Sequence, residues 1–189
     1  MRLRVVVVGI PGVGKTTVVE KVRASMKKAA LVTFGTVMFE EAVRLKWVKD
    51  RDQMRALPVE RQRKLQRVAA AKIARMKDGV VFVDTHLFIR TQEGFWPGLP
   101  FEVVRALKPT HLVLVEAAAE EILHRRESDS TRKRDALRAS DLESELALAR
   151  AFLSVSSTLT GAPMLLVNNS KGKADEAAAA VAGMLRKAA

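Results

Sequence analysis

The sequence predicts a doubly wound α/β domain built on a parallel sheet, and three observations carry that reading. Short, continuous apolar runs rich in β-branched residues recur at 3–8, 80–83, 112–115 and 164–167, with a weaker run at 31–33. Runs without polar alternation suit strands buried on both faces, the situation inside a parallel sheet. Segments of helical period lie between the runs, as right-handed crossovers require. The first run also leads straight into Gly9-Ile10-Pro11-Gly12-Val13-Gly14-Lys15-Thr16-Thr17, a glycine-rich turn of the kind that joins a strand to a helix.

Taken in order, the run at 3–8 is the first strand, the glycine-rich turn follows it, and a helix follows the turn. The weaker run at 31–33 is a second strand. Over 60–77, Leu65, Val68, Ala69, Ile73 and Met76 fall on one helical face and basic residues on the other. Pro58 stands near the start of that helix, where a missing N–H does no harm. The run at 80–83 is a strand ending in Asp84. The stretch 85–100 has no clear period and contains Gly94, Pro97, Gly98 and Pro100, so it reads as a loop. The charge-dense stretch 127–135 reads the same way. Ser140-Asp141-Leu142-Glu143 has capping-box spacing and opens a helix to about 159, before Gly161. A strand at 164–167 and a helix over 173–187 complete a single domain spanning 1–189.

The chain has 189 residues, 48% hydrophobic and 29% charged, the balance of a globular protein with a core. It has no cysteine, which excludes thiol catalysis, disulfides and cysteine-ligated zinc. No apolar run reaches the roughly 18 residues of a membrane span, and the N-terminus lacks a cleavage pattern. The expected location is cytoplasmic, with no membrane partner. A formal net charge of +12 points to anionic ligands. The excess concentrates between Arg44 and Lys77, where twelve Lys/Arg face three acids.

Gly9 to Thr16 satisfies G-x-x-x-x-G-K-[ST] in the required strand–helix context. Such a loop wraps a phosphate with backbone N–H groups, the following helix adds its positive end, Lys15 reaches the β/γ-phosphates and Thr16 offers a hydroxyl to Mg²⁺. An Asp closing a strand is ordinarily a turn or cap residue. Beside a phosphate loop, Asp84 is placed to hold hydrated Mg²⁺. His86, with no second ligand at metal spacing, suits a hydrogen bond to a base, a phosphate or a neighbouring loop. Arg125, Arg126, Arg132 and Arg134, with Lys133, are set to close over a transferring phosphoryl, although Glu127, Asp129 and Asp135 would equally make a salt-bridged turn. Arg51 and Arg55, four apart, match phosphate with guanidinium forks or simply decorate a helix start. Gln53 between them offers an amide to a base edge.

Together with Phe34-Gly35-Thr36-Val37-Met38-Phe39-Glu40, Asp50 to Arg55, Asp84-Thr85-His86, Trp96 to Pro100 and Thr131 to Asp135, these blocks resemble archaeal-type adenylate kinase in order and spacing, end to end. The resemblance implies a three-layer P-loop fold with a five-stranded parallel sheet in the order 2-3-1-4-5. It implies an AMP-binding region at 34–77, a short lid at 125–138, and the reaction Mg·ATP + AMP ⇌ 2 ADP. ATP would be held by Gly9, Ile10, Pro11, Gly12, Val13, Gly14, Lys15, Thr16, Thr17 and Arg125. The catalytic cations would be Lys15, Arg126, Arg132 and Arg134. AMP would meet Gly35, Thr36, Phe39, Arg51, Gln53, Arg55, His86 and Arg90, and Mg²⁺ would meet Thr16 and, through water, Asp84. A homotrimer is the assembly it implies. The bacterial AMP-phosphate arginine is replaced here by Phe39, and the long inserted lid is absent, both as in the archaeal pattern. Other acceptors (CMP, UMP, shikimate) and an RNA-associated ATPase using the basic 44–77 face remain as alternatives. Only Trp47 lies in that stretch, too little aromatic surface for base stacking, and no Asn-Lys-x-Asp guanine reader is present.

Overall fold

The computed structural model describes residues 2–26, 29–91, 94–128 and 138–188. Five parallel strands form its centre: β1 (Leu3–Val8), β2 (Ala29–Thr33), β3 (Val80–Asp84), β6 (His111–Glu116) and β7 (Met164–Asn168), ordered β2-β3-β1-β6-β7. Numbered within the sheet alone, this is the expected 2-3-1-4-5. Val5, Val6, Val7 and Val8 are at most 1% exposed, so the central strand is covered on both faces, as its unbroken apolar run required. Right-handed crossovers then distribute the helices. One face carries α1 (Lys15–Ala24) and α8 (Ala174–Ala188), which pack on each other. The other carries α4 (Val59–Ala74), α5 (Phe101–Leu107) and α7 (Ala139–Thr160), packed in series, with α6 (Ala119–Glu127) against α7.

The stretch 85–100 differs from its expectation as a plain loop. It contains an antiparallel hairpin, β4 (Phe88–Thr91) and β5 (Gly94–Pro97), pairing Phe88 with Pro97 and Arg90 with Phe95. Its strands are too short for period-2 patterning to register, and edge-on contacts of Phe88 with Phe95 and Phe152 hold it to α7. Helix α7 also starts earlier than its spacing indicated: the Arg138 N–H donates to Asp141 Oδ2 (2.9 Å), so the capping position is Arg138 and not Ser140. Its other end is as expected, with Gly161 at φ 70° closing it.

The segment between β2 and β3 has a small core of its own. Helices α2 (Phe34–Arg44), α3 (Arg51–Arg55) and α4 enclose Ala42, Val48 and Leu65, padded by Met38, Phe39, Leu45, Trp47, Met54 and Leu57. Glu41 pins α2 to α4 within it. Its carboxylate is 2% exposed and accepts from Arg44 Nε (2.9 Å) and Lys72 Nζ (2.7 Å). These hydrogen bonds, Arg44 first, outweigh the desolvation and hold the Glu41 carboxyl down at about 2.

A carboxyl whose folded pKa lies below its unfolded value stabilises the fold fully above the unfolded value. It loses that contribution as pH falls through the folded one. The Glu41 contribution therefore fades between about pH 4.5 and pH 2. Glu41→Gln is expected to lower the thermal midpoint at pH 7 by roughly 2–5 °C and to flatten this part of the pH–stability profile. Parallel wild-type and variant melting curves between pH 2 and 7 check this, and curves that keep a constant separation contradict it.

Candidate functional site

The carboxyl ends of β1 and β3 lie side by side, with Val7 in register with Asp84. The chain leaves them in opposite directions, toward β2 after β1 and toward β6 after β3, which opens a crevice at their ends. Residues 9–14 wrap the β1 side of it. Gly12 (φ 95°) and Gly14 (φ 82°) hold the left-handed conformation that an L side chain resists. A Cβ on Gly14 would also collide with the Asn169 amide. Gly14 is the N-cap of α1 and brings no side-chain cap, so the first-turn N–H groups from Lys15 onward lack intrahelical partners and are offered to an anion.

A loop that turns its N–H groups toward a phosphate turns its carbonyls away from it, and here side chains meet those carbonyls. Gly9 O accepts from Lys15 Nζ (3.1 Å) and from His86 Nδ1 (3.2 Å). A carbonyl can only accept, so His86 Nδ1 carries the proton donated to it. Pro11 O accepts from Arg126 Nε (2.9 Å). Val13 O accepts from Asn169 Nδ2 (2.8 Å) and Arg125 Nη1 (3.3 Å). Arg125 also reaches Asn169 O (2.8 Å) and Glu121 (3.0 Å), and Glu121 in turn takes the Lys171 N–H. The turn after β7 is thereby tied to the phosphate loop. Arg125 and Arg126 sit on the last turn of α6 and not on a loop. Arg132 and Arg134 lie outside the described residues.

Lys15 Nζ stands 4.0 Å from Asp84 Oδ1. That oxygen is buried without a hydrogen-bond partner, and burial pushes the Asp84 carboxyl up against the opposing pull of the Lys15 ammonium. A buried, under-satisfied carboxylate oxygen at a phosphate loop fits a hydrated divalent cation. Thr16, exposed on the first turn of α1, supplies the hydroxyl such an ion takes from this loop.

On the other side of the crevice, α2 and α3 bring four expected residues together. Arg51 Nη2 donates to Thr36 Oγ1 (2.9 Å), its guanidinium lies 5.3 Å from the Phe39 ring centroid, and Gly35 leaves room beside Nη1. Asp50 caps α3 through the Gln53 N–H (2.8 Å), which fixes where Arg51 points. The Gln53 amide oxygen is taken by the Lys49 N–H (2.7 Å), and Arg55 pairs with Asp52 (2.6 Å) on the exposed face. Neither touches the Arg51 cluster.

Arg90 belongs to a third group. From β4 it meets Glu145 on α7 through Nε (3.0 Å) and Nη2 (2.9 Å), both on Oε1, and it lies over Phe95 at 5.1 Å. The other oxygen of Glu145 is 3.8 Å from Arg126 Nη2. Gly98 makes the hairpin's approach possible: its N–H donates to Leu87 O (2.8 Å), and a Cβ there would strike the His86 carbonyl.

Sequence reasoning missed Glu145, Asn169 and Glu121. Asn169 carried a usable signal, an amide directly after a strand's carboxyl end and 4% exposed in the fold. Glu145 had none, because in a helix of mixed composition nothing separates it from a solvated acid.

Comparison with known proteins agrees with this geometry. A family model described as an AAA domain matches residues 8–143. An adenylate kinase from Methanococcus aeolicus is 42% identical over 187 residues, covering 96% of this chain and 97% of that protein. One from Methanocaldococcus jannaschii is 44% identical over 170 residues, covering 87% and 88%. Among solved structures, shikimate kinase from Acinetobacter baumannii in complex with shikimate has a TM-score of 0.58 at 16% identity, covering 99% of this chain and 94% of that one. Shikimate kinase from Bacteroides thetaiotaomicron has a TM-score of 0.60 at 13% identity, covering 97% and 98%. At such identities the structural likeness speaks to the fold alone. The curated relatives, alike over nearly the whole chain, place it: this protein belongs to the adenylate kinase family, with its archaeal members.

Proposed function

We infer that the protein is an adenylate kinase, which moves the γ-phosphoryl group of Mg·ATP to AMP and yields two ADP. The observation that carries this reading is a phosphate loop facing a second, separately built cationic pocket, Arg51 with Gly35, Thr36 and Phe39. A simple ATPase has no use for that pocket.

The chemistry needs no side-chain nucleophile. An oxygen of the AMP phosphate, already anionic near neutral pH, attacks the γ-phosphorus, the bond to the β–γ bridging oxygen breaks, and ADP leaves. The protein's part is to hold two polyanions in line and to neutralise charge as it shifts. Residues 9–17 grip the triphosphate, and Lys15 faces its β/γ end. Arg51 serves the acceptor phosphate, with Thr36 fixing its plane. His86, anchored on Gly9 O, ties the segment after β3 to the phosphate loop. Arg125 and Arg126 stiffen the loop from behind, and Arg132 and Arg134 are assigned the lid. Thr16 and Asp84 would hold Mg²⁺, which when bound neutralises the β- and γ-oxygens.

The homotrimer implied by the family resemblance finds support in Ile89, Phe95 and Phe101, which lie 41–52% exposed around the hairpin in the middle of the chain. Light scattering is expected to give three times the 20.8 kDa chain mass. A cytoplasmic site of action is consistent with this substrate pair, and among the described residues no helix is long and apolar enough to cross a membrane.

Incubation with Mg·ATP and AMP, CMP, UMP or GMP in turn is expected to give ADP rapidly with AMP alone. ATP loss that ignores the acceptor contradicts the reading. Lys15→Ala is expected to lower kcat by about 10²–10³-fold or more while circular dichroism and melting stay near wild type. Asp84→Asn is expected to lower kcat by about 10²-fold and raise the Mg²⁺ concentration needed for half-maximal rate. An unchanged Mg²⁺ dependence in a folded Asp84→Asn protein removes Asp84 from the metal site.

A further inference from the structure

We propose that Glu145 is a positioning residue for phosphoryl transfer, a buried carboxylate that fixes an arginine of the acceptor side and one of the donor side in a single ion cluster. The proposal rests on the kinase reading above and adds to it a residue that no sequence motif marks.

Glu145 is 5% exposed in the middle of α7, a place where leucine would pack at lower cost. A buried carboxylate is a poor device for stability, because removing its charge from water offsets most of its attraction to the arginines. Its presence therefore calls for another reason, and the identity of its partners supplies one. Arg90 comes from the β4–β5 hairpin and is one of the residues that the family resemblance assigns to AMP. Arg126 comes from α6, and its Nε is at the same time bonded to Pro11 O of the phosphate loop. One carboxylate thus connects Pro11, Arg126, Glu145 and Arg90 in an unbroken chain of contacts across the crevice. The Glu41 cluster makes the contrast: it too is a carboxylate between two cations, but Arg44 and Lys72 lie on the outer surface and touch nothing in the loop.

Arg90 gives Nε and Nη2 to a single oxygen, and Phe95 covers one face of its guanidinium. Nη1 then points where those two constraints leave it, with no partner among the described residues. A guanidinium locked in this way loses little freedom when it meets a phosphate, whereas an unrestrained arginine must first be ordered. Glu145 acts through these arginines and need not touch substrate.

The test is a double-mutant cycle on the intact protein with saturating Mg·ATP and varied AMP, using wild type, Glu145→Gln, Arg90→Ala and the double variant. AMP-dependent ADP formation by wild type is the prior condition, and its absence would sink the kinase reading rather than this one. Glu145→Gln keeps the shape and removes the charge. It is expected to lower kcat/KM for AMP by about 10–100-fold with a melting midpoint within a few degrees of wild type. The double variant is expected to lose clearly less than the product of the two single losses, any loss beyond that of Arg90→Ala reflecting the remaining hold on Arg126. A folded Glu145→Gln protein with wild-type kcat/KM overturns the proposal, and so do losses that multiply in the double variant. Should Glu145→Gln fail to fold, Glu145→Asp carries the same cycle, keeping the charge but drawing it back by one methylene. Loss that is not additive with Arg90→Ala supports positioning, and full activity overturns it.

Discussion

A backbone loop that binds phosphate must turn its N–H groups toward one point, and its carbonyls consequently face the protein. Buried carbonyls without donors are costly, so the loop is only as rigid as the donors behind it. In this fold five side chains meet three of those oxygens: Lys15 and His86 on Gly9, Arg126 on Pro11, and Asn169 and Arg125 on Val13. They come from α1, the segment after β3, α6 and the segment after β7. Every connection that reaches the carboxyl edge of the central sheet on that side contributes. The doubly wound topology brings them there, because it gathers the strand ends of β1, β3, β6 and β7 along one edge.

The acceptor side is built on a different principle. Its four clustered residues belong to a helical unit with a small core around Ala42, Val48 and Leu65, while Phe34, Ala69, Ala70 and Ile73 of the same helices enter the main core. Closure over two substrates requires a shift, and the residues these helices share with the main core couple such a shift to the packing on the sheet. Glu41 keeps the unit internally stiff by joining α2 to α4, while the contacts of Arg51, Thr36 and Phe39 all lie inside it. Between the rigid donor loop and this helical unit stands the β4–β5 hairpin, attached by Gly98 to the backbone at His86 and Leu87 and by Glu145 to α6 and α7.

The parts legible in the sequence are those governed by local rules. Continuous apolar runs identified all five sheet strands; burial on both faces dictates that composition for β1, β3 and β6, while the edge strands β2 and β7 are more exposed. The G-x-x-x-x-G-K-[ST] spacing located the loop, since the glycines follow from backbone geometry and the lysine from its ligand. Gly35, Thr36, Phe39 and Arg51 came from family resemblance, and the fold places them in contact. The hairpin stayed hidden because four-residue strands carry too few side chains to show a period. The pairing of Arg90 with Glu145 stayed hidden for another reason. Arg90 and Glu145 are 55 residues apart, and nothing local to either one indicates that a carboxylate awaits the guanidinium.

The arginines show how a charge map can mislead and still be useful. A net charge of +12 and a run of basic residues after the β6 strand pointed toward phosphate ligands. Yet Arg125 and Arg126 bond carbonyls and carboxylates of the protein itself. Arg4 does the same at the opposite edge of the sheet, bonding Ala74 O and Leu107 O at the ends of α4 and α5. Arg150 closes on Glu116. Guanidinium serves these tasks better than ammonium because its fixed fork meets two acceptors at once. Much of the excess charge is therefore part of the scaffold, and it still acts at a distance. Placed behind the loop, Arg125 and Arg126 raise the potential at the point where the N–H groups converge, so the groups that brace the site also draw polyanions to it.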